Sequence, residues 1–161
     1  IREDLKESID FSNAYCKNMQ VAVIKAENSG KYTDLASLAK ANIVAEAGSS
    51  GESAVADCEE LKECNYVGVS KMADALLEVK AGTADAAVVD YVMAKAMVGE
   101  GTDYSDLQIV DGIELAYEEY GIGFRKGSNL VESVNKATDE MIADGSLKAI
   151  ADKYGLALMA D

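Results

Sequence analysis

The sequence predicts an α/β fold with a mostly parallel sheet, and three observations support that prediction. Short apolar runs typical of buried strands alternate with segments of helical period along most of the chain. One of these runs, residues 86–89, is apolar at every position, as in a parallel strand that is covered on both faces. Apolar residues make up 49% of the 161 positions, which is enough for a substantial core.

The elements follow from the period of each segment. Strands are predicted at 20–26, 42–47, 66–70, 86–89, 107–110 and 120–124, and helices at 33–41, from the GSSGES segment onward, at 71–81 and at 91–98. From Ser128 the pattern changes to two consecutive helices separated by Gly145, and each has one apolar stripe that needs a partner surface. Residues 1–12 offer little sheet to cover those stripes. We therefore expect one complete lobe at 20–117, flanked by parts of a second.

Composition excludes several classes of function. The net charge of −14 disfavours nucleic acid and anionic lipid, because both would repel the chain. No apolar run is long enough to span a membrane. The chain has no histidine and no recognisable nucleophile elbow, Walker or dinucleotide motif, so we predict no catalytic residues, no metal site and no cofactor.

Three cysteines are present, at 16, 58 and 64. Cys58 and Cys64 lie close together in sequence across an expected helix end. They form either a small disulfide loop, in an oxidising compartment, or two inert buried thiols.

The segment GSSGE, at 48–52, follows one predicted strand and begins a helix. Ser49 and Glu52 have the spacing of a capping box, in which each side chain satisfies a backbone N–H group of the other residue. Free backbone N–H groups, the hydroxyls of Ser49 and Ser50 and the positive end of the helix dipole would converge there. That arrangement favours a carboxylate or phosphate ligand, and the alternative is a helix that is simply capped.

Asp90 ends an apolar strand at the same predicted sheet edge. Its carboxylate either accepts a charge-assisted hydrogen bond from an ammonium group or caps the next helix. An anion site beside a fixed carboxylate suits a zwitterion such as a free α-amino acid. Glu46 is either close to the ligand side chain, where it would favour a cationic one, or a surface residue.

Six blocks occur in the order typical of one family. They are ESIDFSNAY at 7–15, QVAVIKAENS at 20–29, DLASLAKANIVAEAGSSGES at 34–53, LLEVKAGTADAAVVD at 76–90, YGIGFRKGSNLVESVN at 120–135 and ADGSLKAIADKYG at 143–155. Together they resemble the solute-binding proteins for polar amino acids that serve ABC transporters, family 3 of the bacterial extracellular solute-binding proteins. The resemblance covers nearly the whole chain.

This resemblance implies a periplasmic-binding-protein type II-like fold, with two α/β lobes that trap the ligand between them. Residues 1–19 would be a remnant of lobe 1 and the first hinge crossing, 20–117 a complete lobe 2, and 118–161 the second crossing and the C-terminal helices of lobe 1. The start of lobe 1 would be missing. By the same likeness, Ser49, Ser50 and Gly51 bind the ligand α-carboxylate and Asp90 binds its α-amino group.

The implied function is extracytoplasmic capture of a free amino acid and its delivery to an ABC permease. The location would be the periplasm, or a lipid anchor at the cell surface, peripheral to the membrane. Family members often carry an arginine five residues before the Asp of the DFS motif, where Leu5 stands here. Either Arg2 substitutes for it or carboxylate binding depends more on the Ser49 loop.

Two other functions suit the same scaffold. One is an enzyme resembling cyclohexadienyl dehydratase, in which a cleft carboxylate acts as general acid. The other is a ligand-sensing domain of a membrane receptor. Whatever the function, an incomplete lobe 1 would expose apolar surface on the last two helices. We expect self-association, domain swapping or pairing with a missing segment to cover that surface.

Overall fold

A computed structural model describes residues 1–159, which form two compact units. The central unit comprises Met19–Tyr117, and the terminal unit comprises Ile1–Asn18 with the segment from Glu118 onward. The strands are β1 (Ile9–Phe11), β2 (Cys16–Lys25), β3 (Asn42–Glu46), β4 (Asn65–Val69), β5 (Ala86–Asp90), β6 (Leu107–Tyr120), β7 (Gly123–Arg125) and β8 (Ala157–Leu158). The α-helices are α1 (Leu35–Leu38), α2 (Ser50–Asp57), α3 (Met72–Ala81), α4 (Tyr91–Met97), α5 (Leu130–Ala143) and α6 (Ser146–Tyr154).

The main sheet has the strand order β4-β3-β5-β2-β6. Strand β3 runs parallel to both β4 and β5, as the alternation of strands and helices predicts. Strand β2 departs from that prediction, because it pairs with β5 in the antiparallel direction. Its apolar run gave no sign of this, since burial on both faces produces the same pattern for either direction. The α/β class is correct, and the sheet is mixed.

Side chains of the central unit form a core on each face of this sheet, and strand alternation assigns each residue to a face. Along β2, Ala22 and Ile24 join the core that also contains Val55 of α2. Val21 and Val23 join the opposite core, together with Leu76 of α3. We call these the α2 face and the α3 face. Both strands and helices therefore bury apolar side chains.

Four predicted elements have wrong boundaries. Helix α1 covers only Leu35–Leu38, because Asp34 and Ser37 form a capping box at its start and the chain turns into β3 soon after its end. Strand β6 continues ten residues past its predicted end at 110, to Tyr120. The strand predicted at 120–124 is instead the short β7. Strand β2 begins at Cys16, four residues before its predicted start at 20. The other predicted helices and strands agree with the structure to within two residues at the ends that were specified.

The terminal unit contains a two-stranded antiparallel sheet of β1 and β7, in which Ile9 pairs with Arg125. Strand β8 pairs antiparallel with the first residues of β2, Cys16 and Lys17. Neither β1 nor β8 was predicted, because three and two residues are too few for a periodic signal.

Helices α5 and α6 form the apolar stripes that the sequence predicts, but these are poorly covered within the part of the chain that the structure describes. Helix α5 has no buried residue, and α6 has only Ala151. Leu130, Ile150 and Tyr154 are exposed to 56%, 47% and 62%. We call these three side chains the apolar tail surface. In residues 1–159 no helix combines the length and the apolar character that a membrane crossing requires.

All three cysteines are free thiols. Burial raises the pKa of each, most simply for Cys16, where no other cause contributes. For Cys64 the charge of Cys58 raises the pKa further. Of the two arrangements that the sequence allowed for Cys58 and Cys64, the structure therefore has the thiols.

Candidate functional site

The start of α2 lies directly against strand β5. A Cβ atom on Gly51 would be 2.8 Å from the backbone oxygen of Val88, which is closer than such atoms approach. Glycine at this position therefore allows the helix to pack on the strand. The same Cβ would lie 3.2 Å from Oε1 of Gln20 and 3.3 Å from Oγ of Ser49. The contact brings the predicted anion-binding residues to the end of the strand that carries Asp90.

The first turn of α2 presents two backbone N–H groups. Among the described residues, neither the N–H of Ser50 nor that of Gly51 has a hydrogen-bond acceptor. The side chain of Ser50 is exposed, whereas Gly51 is buried. Unpaired N–H groups at the positive end of a helix dipole favour an anion.

The neighbouring N–H groups of this loop are occupied, and they fix its shape. Oγ of Ser49 accepts from the N–H of Glu52 at 3.3 Å, which is half of the predicted capping box. The other half is wrong, because Oε2 of Glu52 accepts from the N–H of Gly48 at 2.7 Å and not from that of Ser49. The N–H of Ser49 instead donates to the backbone oxygen of Glu46 at 3.2 Å. The Glu52 carboxylate therefore closes a turn that is one residue longer than the turn in a capping box.

Tyr66 of β4 holds the same carboxylate from the other side. Its hydroxyl donates to Oε1 of Glu52 at 3.0 Å. Burial, and then the hydrogen bond to Glu52 and its negative charge, raise the pKa of Tyr66 to about 12. The phenol therefore stays protonated and remains a donor at any physiological pH. Together Tyr66 and Glu52 connect the edge strand to the loop at 48–52.

Asp90 is half-buried at the end of β5, and it precedes α4 without capping that helix through its side chain. Instead, Nε2 of Gln20 donates to Oδ1 of Asp90. The two residues lie directly opposite each other in the pairing of β2 with β5. The side chains of both residues project to the α2 face of the sheet. Val88 and the start of α2 lie on the same face.

Gln20 is the site residue that the sequence analysis missed. It is fully buried and connects Asp90 to the surroundings of Gly51. The sequence did contain a signal for it, because the polar Gln20 directly precedes the apolar run VAVI. That signal was not interpreted, because the antiparallel pairing that places Gln20 opposite Asp90 could not be read from the pattern.

Glu46 lies apart from this group. Strand alternation along β3 puts its side chain on the α3 face, where Oε2 accepts from the N–H of Met72 at 2.9 Å, at the start of α3. Among the described residues the Glu46 side chain makes no hydrogen bond with Gln20 or with the first turn of α2, although the backbone oxygen of Glu46 accepts from the N–H of Ser49. Glu46 therefore stabilises a helix start, and the structure does not bring it together with the other four predicted site residues.

The chain matches the family described as bacterial extracellular solute-binding proteins, family 3, over residues 1–157. It is 28% identical over 160 residues to the L-cystine-binding protein TcyJ of Escherichia coli (strain K12), covering 96% of this chain and 56% of that one. It is 26% identical to the arginine-binding extracellular protein ArtP of Bacillus subtilis (strain 168), covering 92% of this chain and 57% of that one. The chain thus spans little more than half the length of these curated relatives.

Among solved structures, the fold is similar to that of the ancestral amino acid-binding protein AncCDT-1, described as a precursor of cyclohexadienyl dehydratase. The TM-score is 0.79 and the identity is 27%, covering 96% of this chain and 65% of the other. This likeness agrees with the predicted class of fold, in which the present chain supplies one lobe and part of another.

Proposed function

This chain belongs to the bacterial extracellular solute-binding proteins, family 3, and we propose that it binds a free α-amino acid. The observation that carries the proposal is the placement of two opposite binding functions on one face of the sheet. The free N–H groups of Ser50 and Gly51 suit a carboxylate, and the carboxylate of Asp90 suits an ammonium group. An α-amino acid carries both groups on the same carbon atom.

The two halves of the proposed site differ in strength. Hydrogen bonds that involve a charged group contribute about 1.5–3 kcal/mol each, compared with about 1 kcal/mol for neutral pairs. The ammonium half depends on one side chain, Asp90. The carboxylate half depends mainly on backbone donors, which a side-chain substitution leaves in place. Asp90 is therefore the position at which a substitution affects binding most.

We further propose that the whole protein acts outside the cytoplasm, in the periplasm or at the cell surface, and delivers its ligand to an ABC permease. Membership of an extracellular solute-binding family and the names of the two curated relatives support this. We propose no catalytic step, and binding alone accounts for the groups at the site. We propose L-arginine and L-cystine as the first ligands to test, since they are the ligands named for those relatives.

The proposal is tested by replacing Asp90 with asparagine in the full-length protein. Asp90→Asn keeps the shape of the side chain and the oxygen that accepts from Gln20, and removes the charge. We expect affinity for the bound amino acid, measured by calorimetry, to fall about tenfold to a hundredfold. Asp111→Asn is the control, because Asp111 is an exposed aspartate of β6 and its replacement changes the net charge equally.

Unchanged affinity in Asp90→Asn would remove Asp90 from the site. An equal loss in Asp111→Asn would mean that net charge, and not a local contact, governs binding. The same purified protein incubated with prephenate separates binding from catalysis. Conversion of prephenate would favour the dehydratase-like alternative over the function proposed.

A further inference from the structure

Gln20 has a side chain that the proposed function does not yet use. It begins the central portion of β2, is fully buried, and points to the α2 face. Burying an amide in an apolar core is costly unless its polar atoms have partners. A leucine or methionine would fill the same volume without that cost. The amide therefore calls for an explanation other than packing.

The donor end of the amide orients the carboxylate of Asp90. Nε2 of Gln20 donates to Oδ1 of Asp90, and the antiparallel register places the two residues opposite each other. A carboxylate at a strand end can otherwise rotate about both side-chain torsions. A charge-assisted hydrogen bond from a buried, rigid donor selects one orientation. Gln20 therefore restricts the direction in which Asp90 presents its charge.

The acceptor end of the same amide lies beside the start of α2. Oε1 of Gln20 is close enough to Gly51 that a Cβ there would be 3.2 Å away. One side chain thus donates a hydrogen bond to Asp90, which binds the ammonium group in the proposed function, and lies beside the helix start that binds the carboxylate. The spacing between those two groups must match a molecule in which they are separated by a single carbon atom.

We infer that Gln20 is a positioning residue, which fixes the orientation of Asp90 and its spacing from the first turn of α2 for recognition of an α-amino acid. This inference rests on the proposed function for its ligand. It concerns a residue that acts through Asp90 and does not itself touch the amino acid. Positioning of this kind lowers the cost of ordering the site when the ligand binds.

The test compares Gln20→Met with Val23→Ala in the full-length protein. Methionine nearly preserves the volume of glutamine and removes the donor. Val23 is buried in the same strand but on the α3 face, so Val23→Ala weakens the core without touching Asp90. Affinity for L-arginine and L-cystine is measured by calorimetry, and the χ1 rotamer of Asp90 by NMR three-bond couplings without ligand. Gln20→Leu provides a second variant if Gln20→Met does not fold.

We expect Gln20→Met to weaken binding about tenfold, which corresponds to the loss of one charge-assisted hydrogen bond. In an Asp90→Asn background the same substitution should have a smaller effect than in the wild type, because the hydrogen bond from Gln20 then ends on a neutral amide instead of a carboxylate. The three-bond couplings of Asp90 should correspond to a single χ1 rotamer in the wild type and in Val23→Ala. In Gln20→Met they should be averaged over several rotamers. Val23→Ala should lower thermal stability with little change in affinity.

The rotamer measurement separates the two hypotheses. A single Asp90 rotamer in Gln20→Met would overturn the inference, whether or not the wild type binds an amino acid. Full additivity of Gln20→Met and Asp90→Asn would also overturn it, because Gln20 would then act independently of Asp90. If Gln20→Met frees the rotamer while the wild type binds no amino acid, the proposed function fails and the orientation of Asp90 by Gln20 still holds.

Discussion

Replacing Gly51 with alanine tests how closely α2 must approach the sheet. The added Cβ would lie 2.8 Å from the backbone oxygen of Val88, and because that oxygen belongs to an interior strand it cannot move aside. Overpacking of this kind costs about 1–3 kcal/mol. The intrinsic preference of a helix for alanine over glycine returns at most about 1 kcal/mol. We therefore expect a net loss of about 1–2 kcal/mol in the free energy of unfolding.

Urea unfolding followed by circular dichroism measures that loss directly, and a thermal scan should show a fall of about 2–8 °C. Gly30→Ala is the matched control, because no atom lies within 4 Å of a Cβ at that position and its backbone angle is not positive. Gly30→Ala should be neutral or slightly stabilising. Since relief of the clash moves α2 away from β5, Gly51→Ala should also weaken amino-acid binding. Equal stability of Gly51→Ala and Gly30→Ala would refute this account of the contact.

Further predictions concern Tyr66, the cysteines and the apolar tail surface. Tyr66→Phe should lower the free energy of unfolding by about 0.5–1.5 kcal/mol, by removing the hydrogen bond to Glu52. Folding raises the pKa of Tyr66 from 10.0 to about 12. The contribution of this hydrogen bond to stability is therefore complete below pH 10 and is lost as the pH rises toward about 12. Urea denaturation at several pH values checks this expectation. Alkylation of the unfolded chain without reductant should modify all three cysteines, and a single modification would reveal a disulfide. The apolar tail surface should make the chain associate with increasing concentration, and a strictly monomeric sedimentation profile would contradict that.

The sequence was informative where a pattern depends on local chemistry. Burial on both faces identified β5, and glycine at 145 marked the break between α5 and α6. The GSSGE segment was placed correctly as a helix start, with Ser49 as its cap. These features depend on residues within a few positions of one another, and so a single sequence contains them.

Features that depend on distant partners were missed. Pairing of Gln20 with Asp90 requires knowing that β2 is antiparallel to β5, and the two residues are far apart in the chain. The outcome for Glu46 has a similar cause, because its contact with Met72 follows from which face of β3 it occupies. A reciprocal capping box was expected from the spacing of Ser49 and Glu52. Tyr66, which arrives from another strand, holds that carboxylate in a wider turn.

The division of the chain affects the order in which it can fold during synthesis. Residues Met19–Tyr117 are continuous, whereas the terminal unit is made from both ends of the described chain. The central unit can therefore complete its sheet while translation continues, since domains fold as units in the order of their synthesis. Strand β1 must wait for β7, which is translated only after the whole central unit. Until β7 is translated, the edge of Ile9–Phe11 that pairs with it stays unpaired and open to other extended segments.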